Sequence, residues 1–165
     1  MSEERVKIEK KKWSLAKRIL PFIKSKVALL VDGPNLLRKE FNIKLEDVLN
    51  AAEYLGRVQI ARVYLNEYAP EKLFEAIYNS GFEPVVTTGD IYIEMAIDVM
   101  EIMHKTDVKI IVIGSRHARC VPILHKAKSM DKETAVVGFD PGFSTALQKT
   151  ADYVFKLQTI SQIKQ

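Results

Sequence analysis

The sequence predicts an α/β fold in which a mainly parallel sheet is flanked by helices. Short apolar, β-branched runs alternate along the chain with amphipathic segments of about 10 to 15 residues, the pattern of right-handed βαβ units. The run at residues 27–31 is apolar throughout, as in a strand that is buried on both faces at the centre of such a sheet. A chain of 165 residues with 47% hydrophobic residues suits one globular domain plus an extension.

The first strand of this domain, V-A-L-L-V at residues 27–31, is followed directly by the turn sequence D-G-P-N. The Gly33-Pro34 pair turns the chain, which places Asp32 and Asn35 at the carboxyl edge of the sheet. Ligands of open α/β sheets bind at that edge. The same residue types are common in turns, so Asp32 and Asn35 as ordinary loop-capping residues are the alternative interpretation.

The remaining elements follow from the change in periodicity along the chain. Amphipathic spacing predicts helices at residues 44–55, 70–79, 91–104, 118–130 and 144–150, and apolar or β-branched runs predict strands at 58–65, 82–88, 108–113, 134–137 and 153–157. In parallel strands the carboxyl ends lie along one edge. Polar residues that follow the strands should therefore converge there, namely Asp32, Asn35, Asn66, Glu67 and the segments 87–90, 114–119 and 139–142.

Several classes of protein are disfavoured by what the sequence lacks. No G-x-G-x-x-G or Walker motif follows the first strand, so no nucleotide cofactor is expected. The single Cys120 allows no internal disulfide and its three possible histidine partners lack zinc-type spacing. No run of about 18 apolar residues is present for a membrane span, and the charged N-terminus does not resemble a secretion signal. A cytoplasmic protein is the expectation.

The N-terminal segment is strongly basic. Residues 1–26 hold nine Lys or Arg against three Glu, a net charge of +6, although the whole chain carries only +4. Such an arm can attract RNA or DNA, or can simply improve solubility. Apolar residues between 13 and 23 recur at helical spacing, typical of an amphipathic helix that packs on the domain, on a second copy in a homo-oligomer, or on a membrane surface. We therefore divide the chain into a basic, partly helical extension (1–25), a domain (26–158) and a tail (159–165).

Four motifs together resemble the NYN domain, and are most similar to its LabA-like branch within the PIN-like nucleases. They are V-D-G-x-N after the first strand, acids before and within the helix at 91–104, S-x-x-x-x-x-V-P at residues 115–122, and the closing A-D-Y-V-F. The resemblance covers residues 26–158. It implies a PIN-like three-layer sandwich and a ribonuclease that holds Mg²⁺ or Mn²⁺ in a cluster of acids. Such a metal polarises the phosphate and activates water.

Carried onto this chain, the resemblance assigns the first acid to Asp32, the family's asparagine to Asn35 and the helix acid to Asp98. It implies Asp32 and Asp98 as metal ligands. A further family acid falls on Tyr92, which cannot be a carboxylate ligand, but Asp90 and Glu94 flank that position. The catalytic set implied by the resemblance is therefore Asp32, Asp90, Glu94 and Asp98.

After the fourth strand of the domain, two acids of the family pattern fall on His117 and Arg119. This exchange makes the site less suited to a cation and better suited to phosphate, which arginine binds without a metal. We therefore predict RNA binding with weak or absent cleavage, and weak or absent binding of Mg²⁺ or Mn²⁺. The predicted RNA-binding residues are Asn35, Arg38, Tyr92, Ser115, Arg116, His117 and Arg119.

Other interpretations stay open at this stage. An active ribonuclease could use a rebuilt site of Asp32, Asp90, Glu94 and Asp98, or the domain could be a module that binds other proteins. The residues at 116–119 could form a surface turn with no ligand. The Tyr92 ring could stack on a base, or could pack against the domain.

Overall fold

A computed structural model describes residues 6–10, for which only the backbone is considered, and residues 25–159. They form a seven-stranded sheet in the order β1-β7-β6-β5-β2-β3-β4. The six strands of the domain are all parallel, and β1 pairs antiparallel with β7. The strands are β1 Val6–Lys10, β2 Lys26–Asp32, β3 Arg57–Asn66, β4 Glu83–Thr87, β5 Ile110–Gly114, β6 Glu133–Gly138 and β7 Tyr153–Leu157. The predicted fold class is confirmed.

Helices cover both faces of the sheet. They are α1 Gly33–Leu36, α2 Leu45–Glu53, α3 Glu71–Asn79, α4 Ile91–Lys105, α5 Val121–Ser129 and α6 Thr145–Thr150. Alternate residues of β2 face opposite layers: Leu29 and Val31 pack with α1 to α3, and Ala28 and Leu30 pack with α4 to α6. Strand β2 pairs with β3 and β5, and all five residues at 27–31 are fully buried. The predicted internal position of this strand is confirmed.

The structure corrects the sequence prediction at two places. The sequence predicts residues 1–12 as loosely ordered or helical outside the core, but Val6–Lys10 is a strand that extends the sheet beside β7. The helix expected at 118–130 begins as a 3₁₀ turn, Ala118–Cys120, before α5 starts with Pro122 in its first turn. The predicted amphipathic helix at 13–23 and residues 160–165 of the tail lie outside the described residues.

Glycine permits the close packing at the point where β2 ends. A Cβ atom on Gly33 would lie 2.6 Å from the backbone oxygen of Tyr64 on the neighbouring strand β3. Only glycine therefore allows α1 to begin directly beside β3. Because the carboxyl ends of β2, β3 and β5 lie side by side, the short α1 brings Asp32 and Asn35 next to the segment after β5. Among the described residues, no helix is long and apolar enough to cross a membrane.

Candidate functional site

A cleft of about 520 Å³ opens at the carboxyl edge of the sheet, between α1 and the start of α4. It gathers six of the residues predicted from the sequence. The lining consists of Asp32, Pro34, Asn35, Arg38, Asn66, Gly89, Asp90, Ile91, Tyr92 and Arg119. These residues come from four separate stretches of the chain, which meet because the strands that precede them are parallel neighbours.

Asp32 lies at the bottom of this cleft and is only 2% exposed. Its Oδ1 caps α1 by accepting from the Asn35 backbone N–H at 3.3 Å, and its Oδ2 accepts from the Ser115 hydroxyl at 3.0 Å. The Tyr92 hydroxyl is also a hydrogen-bond partner of the carboxylate. Burial raises the pKa of Asp32, and the hydrogen bonds from Tyr92 and Ser115 only partly oppose this rise.

Arg119 lies at the mouth of the cleft and joins the residues around it. Its guanidinium forms an ion pair with Asp90 and lies 4.7 Å above the centre of the Tyr92 ring. The His117 ring lies 5.2 Å from the Tyr92 ring, and its Nδ1 accepts from the Arg119 backbone N–H at 3.2 Å. The ion pair with Arg119 is the main cause that lowers the pKa of Asp90. The cleft therefore combines cationic, aromatic and acidic groups in direct contact.

Ser115 and Arg116 are predicted RNA-binding residues that do not face this cleft. Ser115 is fully buried beneath Asp32, which it supports by its hydrogen bond. Arg116 is 8% exposed, and its guanidinium packs against both the Phe41 and the Phe139 ring, at 4.6 and 4.3 Å from their centres. The Arg116 guanidinium also donates to the backbone oxygen of Pro141 at 2.6 Å. Arg116 therefore acts as a clamp that links the turn after β5 to the loop containing Pro141, and its buried charged group does not face the cleft.

Asn35 takes part in the same clamp. Its Oδ1 accepts from the Arg116 backbone N–H at 2.9 Å, and its backbone oxygen accepts from the Arg116 guanidinium at 3.3 Å. Asn35 therefore ties the turn after β2 to the turn after β5 while it also lines the cleft. Arg38 lines the cleft together with Asn35, and its side chain is 56% exposed. The Arg38 guanidinium lies 3.6 Å from the Glu40 carboxylate.

Asp98 is not brought together with Asp32. Its carboxylate accepts from the Tyr64 hydroxyl at 2.5 Å and from Arg62 at 3.2 Å, and Arg62 also donates to Glu83 at 2.9 Å. Asp98 is absent from the residues that line the cleft in the described part of the chain. The expected grouping of Asp32, Asn35 and Asp98 in one cleft is therefore not what the structure shows, because Arg62 and Tyr64 hold Asp98 beside β3 and β4.

The acids do not assemble a recognisable metal centre. Glu94 is in the first turn of α4 but does not line the cleft, and Asp90 is occupied by Arg119. Within residues 25–159, no three His, Cys, Asp or Glu side chains are grouped so as to hold a metal ion. Mg²⁺ is usually held by one or two carboxylates together with waters. Here the Asp32 carboxylate is buried and accepts hydrogen bonds from Asn35 and Ser115, and Asp90 is paired with Arg119, so the carboxylates of this cleft do not fit Mg²⁺ or Mn²⁺.

The sequence did not reveal which residues pair with the charged side chains of the site, such as Arg62 and Tyr64 with Asp98. The sequence assigns Arg62 and Tyr64 only to a strand, although a charged residue within an apolar run is itself a signal that a partner is present. Tyr68 is not among the predicted site residues, yet its side chain is 84% exposed near the cleft. The polar, turn-forming sequence around Asn66 is the available signal for that loop.

Comparisons with known proteins agree with this architecture. Residues 26–158 match the family model of the NYN domain. An uncharacterized protein from Methanocaldococcus jannaschii is 48% identical over 132 residues, which cover 80% of this chain and 55% of that relative. The match thus spans about half the length of the curated relative. The crystal structure of a protein of unknown function from Vibrio parahaemolyticus superimposes with a TM-score of 0.71 at 20% sequence identity. The match covers 82% of this chain and 94% of that chain, and it shows that the two chains share a fold.

Proposed function

Because the chain belongs to the NYN domain family, we propose that it binds single-stranded RNA in the cleft at the carboxyl edge of its sheet and cleaves RNA slowly or not at all. The family match supports a PIN-like nuclease ancestry. The LabA-like branch and the choice of RNA as ligand are parts of this proposal. Activities that depend on sequence outside residues 26–158 lie beyond it.

The arrangement around Arg119 is the observation that carries the proposal. Its guanidinium lies over Tyr92 and beside Asp90 at the mouth of the cleft, and its side chain is 53% exposed. Guanidinium groups bind phosphate oxygens through two parallel hydrogen bonds, and their planes also stack on bases. Arg38, which also lines the cleft, supplies a second exposed cation. The cleft can therefore receive a phosphate and an adjacent base without a metal.

The same contacts weigh against a metal-dependent cleavage site. Asp32 is enclosed by Ser115 and Tyr92, Asp90 is paired with Arg119, and Asp98 is held by Arg62 at a different place. A site rebuilt from these acids and Glu94 would require the breaking of two ion pairs. Asp32 is then a structural cap of α1 and a partner of the Tyr92 hydroxyl.

The proposal is tested by filter binding of a fluorescent single-stranded RNA in EDTA, beside a cleavage assay with Mg²⁺ or Mn²⁺. We expect salt-dependent binding without a metal and little cleavage with one. Arg119→Gln should weaken binding about tenfold by removing a charged hydrogen-bond donor, and should lower the salt slope by about 0.7. The matched control is Arg57→Gln, an exposed arginine at the amino edge of the sheet, which should bind as the unaltered protein does.

Two results would contradict the proposal. Equal RNA affinity for Arg119→Gln and Arg57→Gln would remove the cleft as the binding site. Rapid metal-dependent cleavage that is abolished by Asp32→Asn would instead establish an active ribonuclease with a rebuilt site.

A further inference from the structure

A second hollow lies directly beside the cleft. It encloses about 340 Å³ and shares three lining residues with the cleft, Pro34, Arg38 and Asn66. The rest of its lining is mainly apolar and comes from α1, the end of β3 and the loop that leads into α3: Gly33, Leu37, Leu65, Tyr68, Ala69, Pro70 and Leu73. The cleft and this hollow are therefore adjacent parts of one surface, with Arg38 at their border.

Tyr68 is the most exposed large hydrophobic residue in the described chain, at 84%. The backbone at Tyr68 is nevertheless fixed by hydrogen bonds. The Tyr68 N–H donates to the Asn66 Oδ1 at 3.0 Å, the Ala69 N–H donates to the Asn66 backbone oxygen at 3.2 Å, and Pro70 follows at the start of α3. Such a turn limits the backbone freedom of the loop, so the backbone of Tyr68 is positioned at the hollow that this residue lines.

The neighbours of Tyr68 identify what it is suited to bind. A flat aromatic ring beside an apolar floor of Leu37, Leu65 and Leu73 favours a flat, weakly polar group. An exposed arginine in the lining of the same hollow, Arg38, favours an anion attached to that group. A nucleobase with its phosphate combines both properties. The ion pair of Arg38 with Glu40 is exposed and 3.6 Å long, so it opposes phosphate binding only weakly.

We infer that Tyr68 and Arg38 form a second nucleotide subsite, in which the Tyr68 ring stacks on a base of the single-stranded RNA and Arg38 binds the phosphate that leads into the cleft. This inference rests on the proposed function, because it extends the RNA from the cleft into the hollow. The bound RNA then runs from Arg119 and Tyr92 past Arg38 to Tyr68. The site recognises an unpaired base, since a base in a duplex has no free face for stacking.

The test measures fluorescence anisotropy of a labelled uridine oligonucleotide in EDTA, with a second oligonucleotide of equal length in which the bases are absent. Tyr68→Ala should weaken binding of the first oligonucleotide about tenfold, within the range for loss of one stacked base, and should leave the salt slope unchanged. Tyr68→Trp should retain affinity. On the oligonucleotide without bases, Tyr68→Ala should equal the unaltered protein, whereas Arg38→Gln should weaken binding to both oligonucleotides and lower the salt slope by about 0.7.

Tyr78→Ala is the matched control, because Tyr78 is also an exposed tyrosine but lies near the other end of α3. Equal affinity of Tyr68→Ala and Tyr78→Ala for the uridine oligonucleotide overturns the subsite. If Arg119→Gln still weakens binding in that case, the proposed function stands and only the second subsite is lost. If the unaltered protein binds neither oligonucleotide, the proposed function and the subsite are both overturned.

Discussion

Arg119 and Asp90 form an ion pair at the mouth of the cleft, where Arg119 also covers the ring of Tyr92. Asp90 caps α4 as well, by accepting from the Tyr92 backbone N–H at 2.9 Å. A bound phosphate must therefore compete with the Asp90 carboxylate for the same guanidinium. We therefore predict that Asp90, one of the acids of the alternative rebuilt metal site, acts as an internal competitor for a bound anion.

Asp90→Asn should consequently raise RNA affinity in EDTA by about two- to fivefold, the range expected for release of an exposed ion pair. Asparagine keeps the ability to cap the helix, so α4 should be preserved. Filter binding measures the effect. The control is Asp107→Asn, which removes a carboxylate from an exposed ion pair with Lys26 at the opposite edge. A loss of affinity in Asp90→Asn would contradict the competition.

Restoring the family's acids should reverse the preference of the site. His117→Asp combined with Arg119→Asp places two carboxylates beside Asp90 and removes the cation over Tyr92. We expect Mn²⁺ binding to become measurable by titration calorimetry while RNA affinity in EDTA falls, because the same positions cannot favour both a cation and a phosphate. Arg57→Asp with His125→Asp gives the same exchanges at exposed positions outside the cleft lining. Equal behaviour of the two double variants would refute this account.

Asp32 should make the stability of the protein depend on pH in a defined direction. Burial raises its pKa in the folded state above that of the unfolded chain, so its ionised form opposes folding. The unaltered protein should therefore gain free energy of unfolding relative to Asp32→Asn as the pH falls below this raised pKa toward the lower pKa of the unfolded chain. Urea unfolding at a series of pH values measures the difference. A difference that shrinks on acidification would indicate a lowered pKa of Asp32 instead.

Asp98 should contribute to stability through its partners. Asp98→Ala leaves the buried Tyr64 hydroxyl and the half-buried Arg62 without their shared acceptor, at a cost of about 2 kcal/mol in the free energy of unfolding. Glu101→Ala on the same helix breaks only an exposed pair with Lys105 and should cost much less. RNA affinity should be unchanged in both variants. Unchanged stability of Asp98→Ala with altered metal or RNA binding would place Asp98 in the functional site.

The basic arm should add to RNA binding by charge alone. Removal of residues 1–12 is the simplest test of this contribution, but that deletion would also remove strand β1 from the sheet. Exchange of Arg5, Lys7, Lys10, Lys11 and Lys12 for Gln keeps the backbone pairing. We expect weaker binding and a flatter salt dependence, by about 0.7 for each phosphate contact that is lost. If the salt dependence is unchanged, the arm does not contact RNA, and its charge serves solubility.

The sequence alone determined the alternation of helices and strands, because periodicity reports the buried face of each element. The strand at 27–31 is internal as predicted, and β7 has the predicted bounds of residues 153–157. The position of Asp32 and Asn35 also followed from the sequence, since a turn after a central parallel strand must lie at the carboxyl edge. The prediction that His117 and Arg119 replace two acids came from the resemblance to the NYN family rather than from periodicity.

Only the tertiary structure decided which partner each charged residue takes. Arg116 and Arg119 are three residues apart, yet one is buried against Phe41 and Phe139 and the other is exposed over Tyr92. Asp98 meets Arg62 from 36 residues away because α4 packs across β3. A charged side chain takes its partner from whichever elements pack against it, and those contacts depend on the three-dimensional arrangement of strands and helices. For that reason the sequence located the edge of the site but not the roles of its charges.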